Sequence, residues 1–299
     1  MSPASPAKYL VTGARGMLGS DLVEVLFGRD VTLLGRADLD VTNRDAVFAA
    51  VQGHDVVINA AAYTAVDAAE TDEEAALAVN GTAVGLLAEA AASVGAAFVT
   101  VSTDYVFAGD ATQPYAEDEP RDPLNAYGRT KAVGEEAALA AHPDGTYVVR
   151  TAWLYGRHGA NFPKTMLGFA ATRDTLSVVS DQVGQPTWTM DLARQIVALV
   201  DSDAPAGIYH GTNSGSTSWQ GFAQETFRLA GLDPERVLPT DSSAFVRPAA
   251  RPAFSVLGHD AWARAGLSPM RPWQEALAEA SAEGVLVDDT ASDSPAAGR

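Results

Sequence analysis

A glycine-rich turn near the N-terminus constrains the fold of this chain more than any other feature. The turn, Gly13-Ala14-Arg15-Gly16-Met17-Leu18-Gly19, directly follows a short apolar run, Tyr9–Thr12, and precedes a segment with helical spacing, Asp21–Phe27. Glycine permits a tight turn and lets backbone N–H groups approach a pyrophosphate at the positively polarised start of a helix. Because the turn connects a predicted strand to a predicted helix, it predicts a dinucleotide-binding site.

Segments typical of strands and of helices alternate through the first half of the chain. The strand-like segments are continuously apolar, which is the pattern of a parallel sheet that is covered on both faces. The predicted strands after the turn are Val31–Leu34, Val56–Asn59, Ala97–Ser102 and Tyr147–Thr151, and the predicted helices between them are Asp45–Val51, Glu73–Val94 and Ala126–Ala141. With right-handed crossovers, this alternation predicts an α/β fold built on a Rossmann-like, doubly wound parallel sheet.

The pattern changes after Trp153, where frequent prolines interrupt shorter elements such as the predicted strand Gly207–His210. A loop-rich segment of this kind is typical of a smaller lobe. We therefore predict that residues 1–156 form a nucleotide-binding domain, to which residues 187–204 return, and that residues 157–286 form mainly a smaller C-terminal α/β substrate lobe. The tail, residues 287–299, has almost no apolar content and is predicted to be disordered.

Charge and cysteine content exclude several classes of protein. The 299 residues include 38 acidic and 20 basic side chains, which give a formal charge of −18 at pH 7, and no cysteine. Phosphate polyanions are repelled by such a chain, so nucleic acids and anionic membranes are not expected as partners. Without cysteine there is no disulfide, thiolate nucleophile or cysteine-ligated metal. With no signal-peptide pattern and no apolar run approaching a membrane span, we expect a soluble, cytoplasmic protein.

The end of the second predicted strand bears on the choice of nicotinamide cofactor. A carboxylate there would accept hydrogen bonds from the adenosine ribose and repel a 2′-phosphate. This chain has Leu34-Gly35-Arg36 instead, and Arg36 can pair with a phosphate while Arg15 in the turn assists. We therefore predict NADPH over NADH, with NADH left open. The other predicted cofactor contacts are an adenine-contacting pair and small residues that leave room for the nicotinamide half: Asp40, Val41, Ala60, Ala61 and Ala62.

A tyrosine and a lysine four residues apart indicate acid–base chemistry. Tyr127 and Lys131 lie on one face of the predicted helix Ala126–Ala141, and Thr103 stands at the end of the preceding predicted strand. A phenol with a pKa of about 10 is a poor acid–base group at neutral pH. A neighbouring ammonium favours the phenolate and would lower that pKa. Thr103 can hydrogen-bond to the same substrate oxygen.

Several motifs together resemble a known family. The G-x-x-G-x-x-G spacing of the turn resembles the short-chain dehydrogenase/reductase superfamily. Six further segments look like the dTDP-4-dehydrorhamnose reductase family of extended short-chain reductases: NAAAYTAVD (59–67), STDYVFAG (102–109), PLNAYGRTK (123–131), RTAWLYG (150–156), NFPKTML (161–167) and ARPAFSVL (250–257). The likeness runs from about Tyr9 to Gly284 and so covers nearly the whole chain.

The resemblance implies a role for each matching residue. Tyr127 would donate a proton to the C4 oxygen of a 4-keto sugar, and Lys131 would bind the nicotinamide ribose and tune Tyr127. Thr103 and Asp104 would lie against the sugar, and Trp153 would contact the nucleotide-sugar. The residues that would line the cofactor are Gly16, Met17, Leu18, Ala62, Tyr63 and Thr64. Since a diphosphate needs cationic partners, we expect Arg251 to grip it, ahead of Arg247 and Arg271.

The chain also departs from the family pattern. Some members dimerise around Mg²⁺ held by glutamates, but the matching positions here are Asp21 and Met190-Asp191. Mg²⁺ is therefore doubtful, no metal ligand is predicted, and the choice between monomer and homodimer stays open. Asp104 is followed by Tyr105 rather than by the glutamate expected of a 4,6-dehydratase, which argues against dehydration. We interpret Glu117-Asp118-Glu119 as a solvated loop, and Trp188 and Trp219 as packing residues.

The predicted function is NADPH-dependent reduction of the 4-keto group of a dTDP-4-keto-6-deoxyhexose, as in dTDP-L-rhamnose formation. A related dTDP-deoxysugar reductase, such as a dTDP-dihydrostreptose synthase, would share every residue named above. A different class is a non-catalytic NADP-binding regulatory subunit, like that of methionine adenosyltransferase. Such a subunit does not rely on an intact catalytic set, whereas Thr103, Tyr127 and Lys131 are all present here.

Overall fold

A parallel β-sheet organises the chain, and the computed structural model describes residues 7–286. The strands are β1 (Lys8–Thr12), β2 (Asp30–Leu34), β3 (Val56–Asn59), β4 (Ala97–Thr103), β5 (Thr146–Thr151), β6 (Leu154–Tyr155), β7 (Leu176–Val179), β8 (Val183–Gly184), β9 (Thr187–Trp188), β10 (Gly207–His210), β11 (Thr217–Ser218) and β12 (Val237–Thr240). Six of them form one sheet in the order β2-β1-β3-β4-β5-β10, and every neighbouring pair in it is parallel.

Helices separate these strands. They are α1 (Met17–Val25), α2 (Arg44–Val51), α3 (Val66–Ala69), α4 (Glu73–Leu77), α5 (Ala83–Val94), α6 (Ala126–Ala141), α7 (Phe162–Ala170), α8 (Thr189–Val200), α9 (Trp219–Leu229), α10 (Asp260–Arg264) and α11 (Trp273–Ala282). The helix predicted over Glu73–Val94 forms as α4 and α5 joined by a π-helical turn, Ala78–Thr82. The predicted disordered tail, residues 287–299, lies outside the described residues.

Alternate residues of each strand pack on opposite faces of the sheet. On one face Tyr9 and Val11 of β1 pack with Leu22 of α1 and Ile196 of α8. On the other face Leu10 packs with residues of α2 and α5. A strand whose side chains are buried on both faces reads as continuously apolar, because side chains alternate between the faces. The predicted α/β fold with a Rossmann-like sheet is therefore confirmed.

The strand order reverses beside β1, and this places the ligand crevice. The chain runs from β1 outwards to β2 and then crosses back to β3 on the other side of β1. In sheets of this kind ligands bind at the carboxyl ends of the strands that flank such a reversal. Gly13 follows β1 and Ala60 follows β3, so the glycine-rich turn lies at this crevice.

The second half of the chain contributes to both parts of the molecule. Helices α7 and α9 pack with the paired strands β7 and β12 in a cluster of their own, whereas α8 lies against α1. Strand β10 pairs with β5 in the main sheet, although it falls outside the segment 187–204 that we expected to return there. Local sequence does not say which strand a short apolar segment will pair with. The division into two domains stays a prediction.

The segment Glu73–Val94 is long and apolar enough, by length and composition, to cross a membrane. The expectation that no apolar segment approaches that length needs correction here. In its most apolar window 56% of the segment is buried inside the protein, where it packs against α2 and α6. A buried core helix meets the same criteria, so this one segment is weak evidence for a membrane.

Candidate active site

Helix α6 directs three polar side chains at the end of β4. Tyr127, Lys131 and Glu135 are spaced four residues apart and therefore lie on one face of the helix. The helix begins at Ala126 because the preceding Asn125 side chain accepts a hydrogen bond from the N–H of Gly128 at 2.8 Å. This bond satisfies one of the backbone N–H groups in the first turn that have no partner within the helix. Gly128 lacks a side chain where a β-carbon would lie 2.1 Å from the Tyr105 carbonyl oxygen. This close contact holds the first turn of α6 against the loop after β4.

Lys131 is buried and points at the sheet. Its ammonium donates to the carbonyl oxygen of Val101 at 2.5 Å. Burial lowers the pKa of Lys131 to about 8, and the carboxylate of Glu135 acts in the opposite direction. The lysine is thus held at the carboxyl end of β4, close to Thr103 on the same strand.

The pKa of Tyr127 is raised rather than lowered. Burial is the main cause, the charge of Asp104 adds to it, and a side-chain hydrogen bond with Thr103 acts in the opposite direction. The expectation of a lowered pKa is wrong for the structure described, because burial and the charge of Asp104 raise it, while the Lys131 ammonium bonds the Val101 carbonyl oxygen. The phenol therefore keeps its proton at neutral pH, as a proton donor must.

Asp104 presents a carboxylate oxygen without a partner. Its other oxygen accepts a hydrogen bond from the Thr103 hydroxyl at 2.9 Å. Burial raises the pKa of Asp104 to about 6, while interactions with the Ser255 and Thr103 side chains act in the opposite direction; within residues 7–286 its buried Oδ2 atom has no partner of regular hydrogen-bond geometry. A buried acceptor left unpaired is costly. A hydroxyl-bearing ligand beside Tyr127 would satisfy it.

A buried ion pair that the sequence interpretation missed supports this arrangement. Glu135 and Arg150 are each 1% exposed, and the guanidinium donates to both carboxylate oxygens, at 2.9 and 2.8 Å. Ser102, next to Thr103, donates to the same carboxylate at 2.5 Å, and Arg121 approaches it to 3.3 Å. The position of Glu135, one helical turn after Lys131, is the signal that could have identified it.

The far side of Arg150 rests on a loop predicted to be solvated. Its Nη1 atom donates to the carbonyl oxygen of Glu117 at 3.1 Å and lies 3.4 Å from His210. Glu117 is itself buried, and its carboxylate accepts from the N–H of Ala261 at 2.8 Å. The interpretation of Glu117 as a solvated residue is therefore wrong, because the turn folds inward beneath the sheet edge, while Asp118 and Glu119 are exposed.

The glycine-rich turn has a backbone that other residues would not adopt. Gly13 has a φ of +69°, and a β-carbon there would lie 2.6 Å from the Ala60 carbonyl carbon. A β-carbon at Gly19 would lie 2.1 Å from the Gly13 oxygen. Gly16 caps α1 without a side-chain hydrogen bond, so the first N–H groups of the helix are available to phosphate oxygens. Of the neighbouring residues, Leu18 is buried and Met17 is half-buried.

The end of β2 carries a carboxylate that the sequence interpretation did not place there. The Asp38 side chain folds back and accepts the N–H of Gly35 at 2.9 Å. Arg15 approaches the same carboxylate to 3.2 Å. Arg36 is exposed, and Asp40 is held by Thr42, whose hydroxyl donates to it at 2.7 Å. The expectation that no carboxylate occupies this position is wrong, because it counted along the strand and ignored the turn that follows.

The π-helical turn holds the segment after β3 in place through hydrogen bonds. The Asn80 side chain accepts the N–H of Tyr63 at 2.9 Å and donates to its carbonyl oxygen at 3.0 Å. π turns inside α-helices frequently mark functional sites, and here the turn holds the chain where the cofactor-lining residues were predicted. Those residues border the crevice and are half-buried or exposed: Ala60, Ala61, Ala62, Tyr63 and Thr64. Val41, also half-buried, lies beyond β2. Asn80 was not predicted.

Trp153 has a strained backbone and a stacked side chain. Its φ of +46° is the one positive value among the non-glycine residues described, and such strain often marks functional sites. Its ring stacks on Trp219 with centroids 3.6 Å apart. On another side it fits against Gly184, where a β-carbon would lie 2.6 Å from the indole. Trp219 also packs against two apolar clusters, and Trp188 is buried, so both tryptophans are packing residues as expected, and Trp219 supports Trp153 as well.

The three candidate arginines differ in their surroundings. Arg251 pairs with Asp67 of α3 at 3.0 Å, and Arg247 approaches the same carboxylate to 3.6 Å. Arg251 also acts on the pKa of Tyr105, whose ring meets Tyr127 edge-on at 6.0 Å. Arg271 is engaged elsewhere, by Asp191 and Glu279. Arg251 thus lies near Tyr105, which contacts Tyr127.

The positions matched to metal-binding glutamates have other surroundings in this structure. Asp191 accepts two hydrogen bonds from Arg271, at 2.8 and 2.9 Å, and one from Asn213. Asp21 is buried, which raises its pKa, and Met190 packs in an apolar cluster. In the range 7–286 no group of three or more potential metal ligands occurs. The prediction that this chain has no Mg²⁺ ligand is not tested by these contacts.

Known proteins resemble this chain along most of its length. Residues 7–285 match the family described as the RmlD substrate binding domain. A dTDP-4-dehydrorhamnose reductase of Streptomyces griseus is 52% identical over 287 residues, 93% of this chain and 94% of that protein. A probable dTDP-4,6-dihydroxy-2-methyloxan-3-one 4-ketoreductase of Streptomyces antibioticus is 54% identical over 278 residues, 91% of this chain and 94% of its own.

A solved structure extends the likeness to three dimensions. A dTDP-4-dehydrorhamnose reductase of Bacillus anthracis, crystallised in complex with NADP, has a TM-score of 0.89 and 38% identity, and the match covers 93% of this chain and 99% of that one. The shared fold includes both the sheet with its crevice and the second half of the chain.

Proposed function

The chain belongs to the family described as the RmlD substrate binding domain, and from that premise we propose that it catalyses NADPH-dependent reduction of the 4-keto group of a dTDP-4-keto-6-deoxyhexose. The names of the Streptomyces griseus and Bacillus anthracis relatives support this reaction, and the NADP complex of the latter supports the cofactor. The observation that carries the proposal is the protonated, half-buried Tyr127 beside Thr103 and Asp104 at the carboxyl edge of the sheet.

The crevice suits a nicotinamide dinucleotide. Gly13, Gly16 and Gly19 carry no side chain in this turn, and a β-carbon at Gly13 would collide with Ala60. The N–H groups that open α1 would hold the phosphates, and the ammonium of Lys131 would hold the ribose once released from Val101. When bound, the nicotinamide supplies a hydride to a carbonyl carbon; the chain itself supplies position and the proton.

Tyr127 supplies that proton. Because its pKa lies above the usual value, the phenol is protonated at neutral pH and can transfer its proton to the C4 oxygen as negative charge develops there. The Thr103 hydroxyl lies beside the phenol and would hydrogen-bond to the same oxygen. The carbonyl carbon gains a hydride and its oxygen gains a proton, so the product is a secondary alcohol and no alkoxide is released to water.

The remaining side chains suit a nucleotide-sugar. The unpaired Oδ2 of Asp104 would accept a sugar hydroxyl. The Trp153–Trp219 stack offers an apolar wall. Arg251 would exchange Asp67 for a diphosphate oxygen, a stronger anionic partner.

Cytoplasmic location and a monomeric or homodimeric state stay predictions.

A related dTDP-deoxysugar reductase, such as a dTDP-dihydrostreptose synthase, is the second candidate. The Streptomyces antibioticus relative, 54% identical, carries the name of a ketoreductase for a different substrate, and so identity at this level does not select the sugar. A regulatory subunit is less well supported, since a proton donor held beside Thr103 and Asp104 serves no purpose in nucleotide binding alone.

Oxidation of NADPH in the presence of dTDP-4-keto-rhamnose tests the proposal. We expect turnover by the wild type, its loss in Tyr127→Phe, and normal turnover in Tyr147→Phe, a control whose hydroxyl bonds the Ala204 carbonyl far along the sheet. NMR of the sugar product distinguishes rhamnose from other deoxysugars. Turnover that persists in Tyr127→Phe would refute the assigned proton donor.

A further inference from the structure

A second determinant of cofactor choice lies in the turn after β2. In a doubly wound sheet this turn faces the adenosine ribose, where an acidic side chain accepts the 2′-hydroxyl and an arginine accepts a 2′-phosphate. The N–H groups of Asp38 and Leu39 both bond the Gly35 carbonyl oxygen, at 3.0 and 3.1 Å, and Leu39 is buried. The turn is therefore closed, and the Asp38 carboxylate is fixed at the strand end.

Arg15 meets that carboxylate from the glycine-rich turn. Its guanidinium lies 3.2 and 3.4 Å from the two oxygens of Asp38. The side chain crosses Gly35, where a β-carbon would lie 3.0 Å from its Cδ and Nε atoms. The absence of a side chain at Gly35 thus lets an arginine and an aspartate from different turns meet at one point.

The charges around this point nearly cancel. Arg36 is exposed and acts on the carboxylate of Asp40, which is bonded to Thr42. Two guanidinium groups therefore face two carboxylates. A 2′-phosphate has to compete with Asp38 for Arg15, whereas a 2′-hydroxyl can donate to Asp38 with the ion pair intact. Because the Arg15 side chain is 74% exposed, the pair contributes little stability and Arg15 can turn to a phosphate.

We propose that Asp38 is a specificity-determining residue that lets the site bind NADH as well as NADPH. Asp38 accepts a hydrogen bond from the ribose hydroxyl of NADH. Arg15 separates from Asp38 to bind the 2′-phosphate of NADPH. The inference rests on the proposed function only in needing a nicotinamide dinucleotide in the crevice.

Isothermal titration with NADPH and NADH, without substrate, tests the inference independently of activity. Asp38→Asn keeps an oxygen for the Gly35 N–H but removes the charge. We expect it to tighten NADPH and weaken NADH, so that the ratio of their Kd values shifts by about tenfold, as expected for one charge-assisted hydrogen bond. Arg15→Gln should shift the ratio in the opposite sense. Asp45→Asn, an exposed residue of α2, is the control for loss of one negative charge.

The outcomes separate the two proposals. A wild-type protein that binds neither nucleotide contradicts the proposed function. A protein that binds NADPH, but whose Kd ratio is unchanged in Asp38→Asn or changes equally in Asp45→Asn, retains the proposed function and overturns the role of Asp38. Opposite shifts in Asp38→Asn and Arg15→Gln support it, and thermal unfolding of each variant shows that it is folded.

Discussion

The buried ion pair between α6 and β5 allows a quantitative test. Arg150→Met removes a guanidinium that donates to both oxygens of Glu135, at 2.9 and 2.8 Å. The remaining partners of Glu135 are Ser102 and the more distant Arg121. The Glu135 carboxylate, which is 1% exposed, then loses its main cationic partner. This should lower the free energy of unfolding by about 3–5 kcal/mol. At roughly 2 °C per kcal/mol for a chain of this size, Tm should fall by about 6–10 °C.

The matched control is an exposed pair between α6 and α4. Arg129 donates to both oxygens of Glu73 at 2.9 and 2.8 Å, which is nearly the same geometry with both side chains more than 40% exposed. Since surface pairs contribute about 0–1 kcal/mol, Arg129→Met should lower Tm by no more than roughly 2 °C. The contrast isolates burial from hydrogen-bond geometry.

The double variant provides the refutation. In Glu135→Met/Arg150→Met both charges are gone. The free energy of unfolding that this double variant loses should therefore be smaller, by about 1–3 kcal/mol, than the sum of the losses in Glu135→Met and in Arg150→Met. Circular dichroism during thermal and urea unfolding measures all four variants. Additive losses, or a loss below about 1 kcal/mol in Arg150→Met, would show that the pair is not the coupled element described here.

Two further predictions concern the catalytic lysine and the glycine-rich turn. Burial lowers the pKa of Lys131 to about 8, so its ammonium is lost as the pH rises through that value, and kcat/KM for NADPH should fall above about pH 8. In Lys131→Arg, which stays charged, this decrease should be absent. A decrease above pH 8 that persists in Lys131→Arg contradicts the role of Lys131. Gly13 and Gly28 both have positive φ, but a β-carbon at Gly28 meets nothing within 4 Å. Gly28→Ala should therefore cost about 1–2 kcal/mol, whereas Gly13→Ala should cost more and also weaken NADPH binding in a titration; equal effects would mean that the turn is not tightly packed against Ala60.

Features that depend on neighbouring residues could be predicted from the sequence. The glycine-rich turn, the alternation of apolar strands with helices, and the spacing of Tyr127 and Lys131 on one helix follow from backbone periodicity and from the conformations open to glycine. These features also carried the fold class, whereas the family resemblance rested on six further motif segments as well. Their predicted places agree closely with the elements observed, including the bounds of α6.

Features that depend on distant residues could not be predicted. Asp38 reaches Gly35 only because the turn after β2 closes, and Arg15 joins it from another turn. Arg150 and Glu135 meet because β5 lies under α6. Sequence periodicity describes which face of an element a side chain occupies, but not which element lies opposite that face.

The sequence by itself therefore determined the type of sheet, the glycine-rich turn and the tyrosine–lysine pair. The tertiary structure alone decided the electrostatics of the site: a tyrosine pKa that rises because the phenol is desolvated beside Asp104, a carboxylate at the end of β2, and a tryptophan stack between separate elements. The reason is physical. Local conformation depends on a few dihedral angles near each residue, whereas pKa values and ion pairs depend on burial and on charges that only the folded chain brings together.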